Sequence, residues 1–439
     1  MSIPFHGGVS YGDAARATAE AVARRSYGKL VAYLAAHTRD VAAAEDALSE
    51  AFAMALSTWP QSGCPANPEA WLMTVARRKI IDMMRKRLHD EPIELHELAE
   101  ELSAKQEEPT IPDRRLALMF ACAHPAIEAG IRAPLVLQTV LGFDAKAIAS
   151  AFLTSPAAMG KRLVRAKDKI RQAGIPFRVP EREELSPRLE TVLDAIYAAF
   201  TDGWADAAGT DAERRDLAEE AIFLARLIAE LLPDEPEALG LLALMLHAEA
   251  RRDARRSANG EFVPLAEQDS ALWDEARMRE AEALLRHASG MSRIGRYQLE
   301  AALQSAHVFR CRTSHANWAD VVQLYDALFA LTGSPVVAIN RSLALAEVQG
   351  ARAALGAMPD AAADARLAEY QPYWAARAEL LTRIGAHIEA HRAYEMAIGL
   401  ERDDAVRRFL QRRLAMQGDG LKTESFSRDS ICSYANRFS

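Results

Sequence analysis

Charge in the N-terminal part of this chain falls into three blocks of alternating sign. Residues 68–88 hold six cations against two carboxylates, a sum of +4. Residues 89–113 hold nine carboxylates against one lysine, −8, and residues 155–178 hold seven cations against one carboxylate, +6. Like charges so close together repel, so each block needs a cause. The formal net charge of −8 over 439 residues does not argue against polyanion binding, because local fields steer association more than the total does. The first basic block, PEAWLMTVARRKIIDMMRKRL, reads as one helix of about five turns at 3.6 residues each. Pro68 loses no useful N–H at a helix start, and Glu69 suits the positive dipole end. Trp71, Leu72, Met73, Val75 and Ala76 anchor its first half, and Arg77, Arg78, Lys79, Arg85, Lys86 and Arg87 crowd its second. Such a helix suits a polyphosphate surface, with DNA the obvious candidate, although a solvated basic helix end has the same composition.

The third block holds a second helix of this kind. FDAKAIASAF (Phe143–Phe152) reads as a helix ending near Thr154, after which Ser155 caps and Pro156 opens another. In that helix Met159, Leu163, Ala166 and Ile170 fall on one stripe, and Lys161, Arg165 and Lys169 share another with Arg162 beside it. Two helices with a short turn, the second amphipathic and basic, read as a helix-turn-helix. Upstream, Ala47, Leu48, Ala51, Phe52, Ala55 and Leu56 form one helical face, and Glu45, Asp46, Ser49 and Glu50 the other. WPQSGCPAN, from Trp59, reads as a loop.

The order of these residues adds to the pattern. Trp71, Leu72, Thr74, Val75, Ala76, Arg77, Ile81, Asp82, Arg85 and Arg87 resemble the promoter −10 helix of bacterial sigma factors of the extracytoplasmic-function type, with Arg78 where members often have Asn. AEDALSEAF (Ala44–Phe52) is similar to the segment by which that family clamps the polymerase core, with Ser49 in place of the usual Gln. SPAAMGKRLVRAK, from Ser155, resembles its −35 recognition helix. The resemblance covers roughly residues 15–177 and implies an all-α fold with core RNA polymerase and promoter DNA as partners. It implies −10 contacts at Trp59, Arg77, Arg78, Lys79, Asp82 and Arg85; Trp59 would stack on a flipped base, although a lone tryptophan at a helix end is more often a core residue. It implies −35 contacts at Ser155, Lys161, Arg162, Arg165 and Lys169, and polymerase contacts at Glu45, Asp46 and Glu50.

Beyond Pro180 the sequence is helix-forming to about residue 416. Gly350 and Gly385 lie 35 residues apart, each behind an alanine-rich segment, which is the period of stacked helical hairpins of the tetratricopeptide kind. YAAFTDGW (from Tyr197), the stretch Pro233–Arg255 and EQDSALWD (from Glu267) resemble the extension of one subgroup of the same sigma factors. The expected organisation is therefore sigma region 2 over 14–88, an acidic linker over 89–112 and region 4 over 113–177. A repeat-like helical extension over 178–416 and a disordered tail over 417–439 complete it, and the extension is where an unknown regulator would act.

The remaining features exclude other classes. Four scattered cysteines lack CxxC spacing, so neither zinc nor a disulfide framework is expected. No apolar run is long enough to span a membrane and no signal peptide precedes Tyr11, so a cytoplasmic protein is expected. His387 and His391 sit four apart, but Glu389 falls one place after the position the metalloprotease motif requires, and no phosphate loop or nucleophile elbow is present. No catalytic residue, metal or cofactor is expected. Two other readings stay open: a helix-turn-helix regulator with a helical sensor domain, and a repeat adaptor with solvated basic helices.

Overall fold

The computed structural model describes residues 11–87, 114–151, 154–205, 212–362 and 364–419. The linker expected over 89–112 and the tail from 420 lie outside these residues. Among the described residues there are nineteen α-helices, three short 3₁₀ turns and one isolated bridge between Arg256 and Phe262. The protein is all-α, as its periodicities require. It divides into two compact units, residues 1–196 and 197–439.

In the first unit, α1 (Tyr11–Thr38), α2 (Val41–Ser62) and α3 (Pro68–Arg87) pack on one another. Asp40 caps α2 by accepting from the Ala43 amide at 3.0 Å, as a short acceptor at that position should. Leu30, Val31, Leu34, Ala47, Leu48, Ala51, Leu72 and Ala76 form the core. The apolar face expected on α2 is narrower than its sequence suggests, because Leu56 is 48% exposed. Four further helices follow: α4 (Arg115–Cys122), α5 (Ala129–Thr139), α6 (Ala145–Ala151) and α7 (Pro156–Gln172). Ser155 caps α7 through the Ala158 amide, Pro156 occupies its first turn, and Met159, Leu163, Ala166 and Ile170 are buried. α4 and α5 also pack on α1, and α7 packs on α2. The described parts of 14–88 and 113–177 thus form one body. α8 (Arg182–Ala205) begins in this unit, where Arg188 donates to the Phe120 carbonyl.

In the second unit α9 (Ala212–Leu231), α11 (Glu275–Ser289) and α12 (Arg296–Thr313) pack around α10 (Pro236–Glu249), which carries the apolar run Leu239–Leu246. α10 is buried nearly all round, as a helix apolar on every side must be. Gly240 permits this, because a Cβ there would lie 2.6 Å from the Gln298 amide nitrogen. α13 (Trp318–Thr332), α14 (Pro335–Gln349), α15 (Ala351–Ala357), α16 (Ala365–Ala368), α17 (Gln371–Arg383), α18 (His387–Leu400) and α19 (Asp404–Asp419) follow. Residues 417–419, expected in the tail, therefore complete α19. The apolar clusters succeed one another along the chain, first around Trp318 and Val321, then Leu343 and Tyr373, then Tyr394 and Phe409. Gly350 (φ 89°) and Gly385 (φ 77°) take the left-handed turns between helices that their spacing predicts.

Candidate functional site

The basic helix α3 is fixed at its N-terminal end. The Asn67 side chain accepts from the Ala70 amide at 3.0 Å, satisfying one of the orphan donors of the first turn. Glu69 accepts from the Ser26 hydroxyl at 2.5 Å and faces the Arg25 guanidinium at 3.2 Å, both on α1. Leu72, Met73, Ala76 and Ile80 are buried, and that inward stripe decides what each cation faces. Arg77 turns onto α1: it donates to the Tyr33 hydroxyl at 2.6 Å and lies 5.0 Å from the centre of that ring. Lys79 pairs with Glu50 of α2 at 2.7 Å, and the hydrogen bond and charge of Glu50 raise its pKa. Arg78 and Asp82 are exposed, and the Arg85 side chain lies outside the described residues.

Trp59 corrects an expectation. The sequence opens a loop at Trp59 and leaves base stacking and core packing as its two readings; in the structure α2 continues through Pro60 to Ser62 and leaves only 63–67 as loop. Its indole is 1% exposed and meets the Trp71 ring edge-on at 5.4 Å. Burying that aromatic pair anchors the last turn of α2 in the core, which outweighs the hydrogen bond lost at Pro60. A ring so covered offers no face to a base.

On α7 the cations divide between two faces. Ser155, Lys161, Arg165 and Lys169 are exposed, and Arg162 is half-buried beside Glu128 at 3.3 Å. Lys167 and Arg171, four residues apart, turn the other way, onto α2. Lys167 Nζ lies 2.5 Å from Glu45 Oε2, with the two side chains only 10% and 14% exposed. Arg171 meets Asp40 at 3.3 Å. Burial pushes the Glu45 carboxyl up despite the opposing pull of Lys167. Burial, then the charges of Glu45 and Asp46, likewise push up the Tyr27 phenol on α1. Asp46 and Glu50 remain exposed. Lys167, Arg171, Asp40 and Tyr27 were not singled out from sequence. The only signal was that Lys167 and Arg171 fall outside the stripe of Lys161, Arg165 and Lys169.

Three carboxylates of the second unit have structural roles. Glu249 accepts from Arg252 at 2.6 and 2.8 Å, Asp269 caps a short 3₁₀ turn and Asp274 caps α11. His387 and His391 are exposed on α18. Among the described residues no group of three or more potential ligands could hold a metal ion, and no helix is long and apolar enough to cross a membrane.

Residues 22–89, which contain Glu45, Asp46, Glu50 and the cations of α3, match the family described as Sigma-70 region 2. Residues 188–289 match a family of unknown function, DUF6596. The chain is also similar to an uncharacterized protein of Rhizobium meliloti (strain 1021), 36% identical over 409 residues that cover 91% of this chain and 94% of the relative. No solved structure matches it. The chain belongs to the sigma-70 family, with region 2 spanning most of α1 to α3 and a helical extension in its C-terminal half.

Proposed function

We propose that the protein is a sigma factor of the extracytoplasmic-function type that binds core RNA polymerase, reads a −35 element and melts a −10 element. In this reading Glu45, Asp46 and Glu50 on α2 meet a basic surface of the polymerase. Arg78, Lys79, Asp82 and Arg85 on α3 act at the −10 DNA, with Arg77 fixing the helix to α1. α6 and α7 serve as a helix-turn-helix whose Ser155, Lys161, Arg162, Arg165 and Lys169 approach phosphates and base edges. The observation that carries the reading is that α7 buries one apolar stripe and holds Lys161, Arg165 and Lys169 outward, while α3 buries another and exposes Arg78, in a chain whose α2–α3 segment matches region 2.

Such a protein works in the cytoplasm by recognition and strand opening, with no chemistry at its own side chains. Its second unit, a repeat-like stack of helices, is the place for a regulator of activity. The test is to mix the purified full-length chain with bacterial core RNA polymerase and follow co-elution by size exclusion. A stable complex, lost on charge reversal at Asp46 and Glu50, supports the reading. Separate elution of every form, with specific DNA binding retained, replaces it with a DNA-binding regulator.

A further inference from the structure

We infer that the free protein is closed on itself: α7 covers part of the polymerase-binding face of α2, and Lys167 occupies the position a polymerase cation would take on Glu45. The inference rests on the sigma-factor reading above and adds a self-masking step to it.

Two independent features of the first unit support the closure. The first is electrostatic. Glu45 Oε2 is engaged by Lys167 at 2.5 Å with both side chains largely buried, and Arg171 holds Asp40 one turn further along. Glu45 Oε1 is buried and has no hydrogen-bond partner among the described residues. A basic partner therefore reaches this carboxylate only by displacing Lys167. The second is steric. Gly28 of α1 lies so close to the end of α5 that a Cβ there would fall 1.8 Å from the Val140 carbonyl oxygen. Only glycine allows that approach, so the two halves of the unit meet backbone to backbone as well as through charges.

The closure is reversible on physical grounds. A buried ion pair gains little over two solvated ions, because its Coulomb attraction is offset by desolvation. The Lys167–Glu45 pair therefore fixes where α7 sits more than how tightly. A polymerase cation that replaces Lys167 restores the pairing of Glu45 and returns Lys167 to water. Meanwhile Lys161, Arg165 and Lys169 point away from α2 and stay exposed, so the closed form masks the polymerase face without covering the DNA face of α7.

The test joins a direct readout of closure to a readout of binding. Free full-length protein is treated with a zero-length carbodiimide, and the amide-linked peptide joining Glu45 to Lys167 is quantified by mass spectrometry with and without core polymerase. Affinity for core polymerase is measured for wild type, Lys167→Ala and Gly28→Ala. The second variant wedges the contact apart, and the first removes the pair without a clash. The inference expects the cross-link in free protein and its suppression in the polymerase complex. It also expects binding about tenfold tighter for the variants, as for a closed population of roughly nine in ten. Absence of the cross-link in free protein overturns the closure. A cross-link that persists in the complex, with variants binding no tighter than wild type, overturns the competition and leaves the sigma reading standing. If wild type and both variants all fail to bind polymerase, the sigma reading falls and takes this inference with it.

Discussion

Arg77 donates a 2.6 Å hydrogen bond to the hydroxyl of Tyr33, forty-four positions earlier, and its guanidinium lies 5.0 Å from the centre of the same ring. The pair joins α3 to α1 and takes one cation of the basic helix out of the outward set. Tyr33→Phe keeps the ring contact and removes the hydroxyl, so it should lower unfolding free energy by about 1.5–3 kcal/mol, as for loss of a charge-assisted bond. Urea unfolding measures that cost. DNA affinity of the folded variant at constant salt should stay within a factor of two or so of wild type; a large loss would return Arg77 to the DNA.

Trp59 packs edge-on against Trp71 in the core between α2 and α3. Trp59→Ala should destabilise the protein by about 3–5 kcal/mol, the range for removing a large buried aromatic. Trp59→Phe should recover much of that loss. A Trp59→Ala variant of unchanged stability that has lost −10 melting would overturn the core assignment.

Arg165 and Arg162 sit on the same helix with different surroundings. Arg165 is exposed, whereas Arg162 is half-buried beside Glu128 at 3.3 Å. Arg165→Ala should weaken binding to −35 DNA by about 1–3 kcal/mol, and Arg162→Ala should weaken it less. Anisotropy titrations at two salt concentrations check the order. A phosphate contact at Arg165 would also reduce the slope of log K against log salt by about 0.9.

His247 is buried on α10, and burial, then the charges of Arg251 and Arg312, lower its pKa from the ordinary 6.5 to about 3. Glu282 lies 3.4 Å away and does not reverse the shift, since desolvation of the imidazolium is the larger effect. The folded chain thus stays unprotonated where the unfolded chain takes up a proton, and stability falls as pH drops from about 6.5 towards 3. Once pH is well below the unfolded value, this contribution approaches about 1.4 kcal/mol per pH unit. Calorimetry between pH 7 and 5 should show a smaller fall in Tm for His247→Leu than for wild type. His307, pushed in the same direction by burial and by Arg310 and Arg251, should add to the effect.

Much of this fold was legible along the chain. Pro68 and Glu69 opening α3, Ser155 and Pro156 opening α7, the buried stripe of Met159, Leu163, Ala166 and Ile170, and the turn glycines 350 and 385 all lie where spacing put them. Caps, turns and helical periodicity act over a few residues, so a local pattern determines them.

What each helix face meets was decided only in three dimensions. Leu56 repeats the spacing of its buried neighbours yet faces out. Trp59 reads as the edge of a loop but packs in the core, and Arg77 belongs to a basic motif but turns onto Tyr33. Lys167 is one of seven cations in its block, and nothing local marks it as the partner of a carboxylate 122 positions away. Sequence determined which residues share a helix face, because that follows from 3.6 residues per turn. Which face is covered, and by whom, depends on where helices far apart in the chain cross, and that is a property of the packed unit alone.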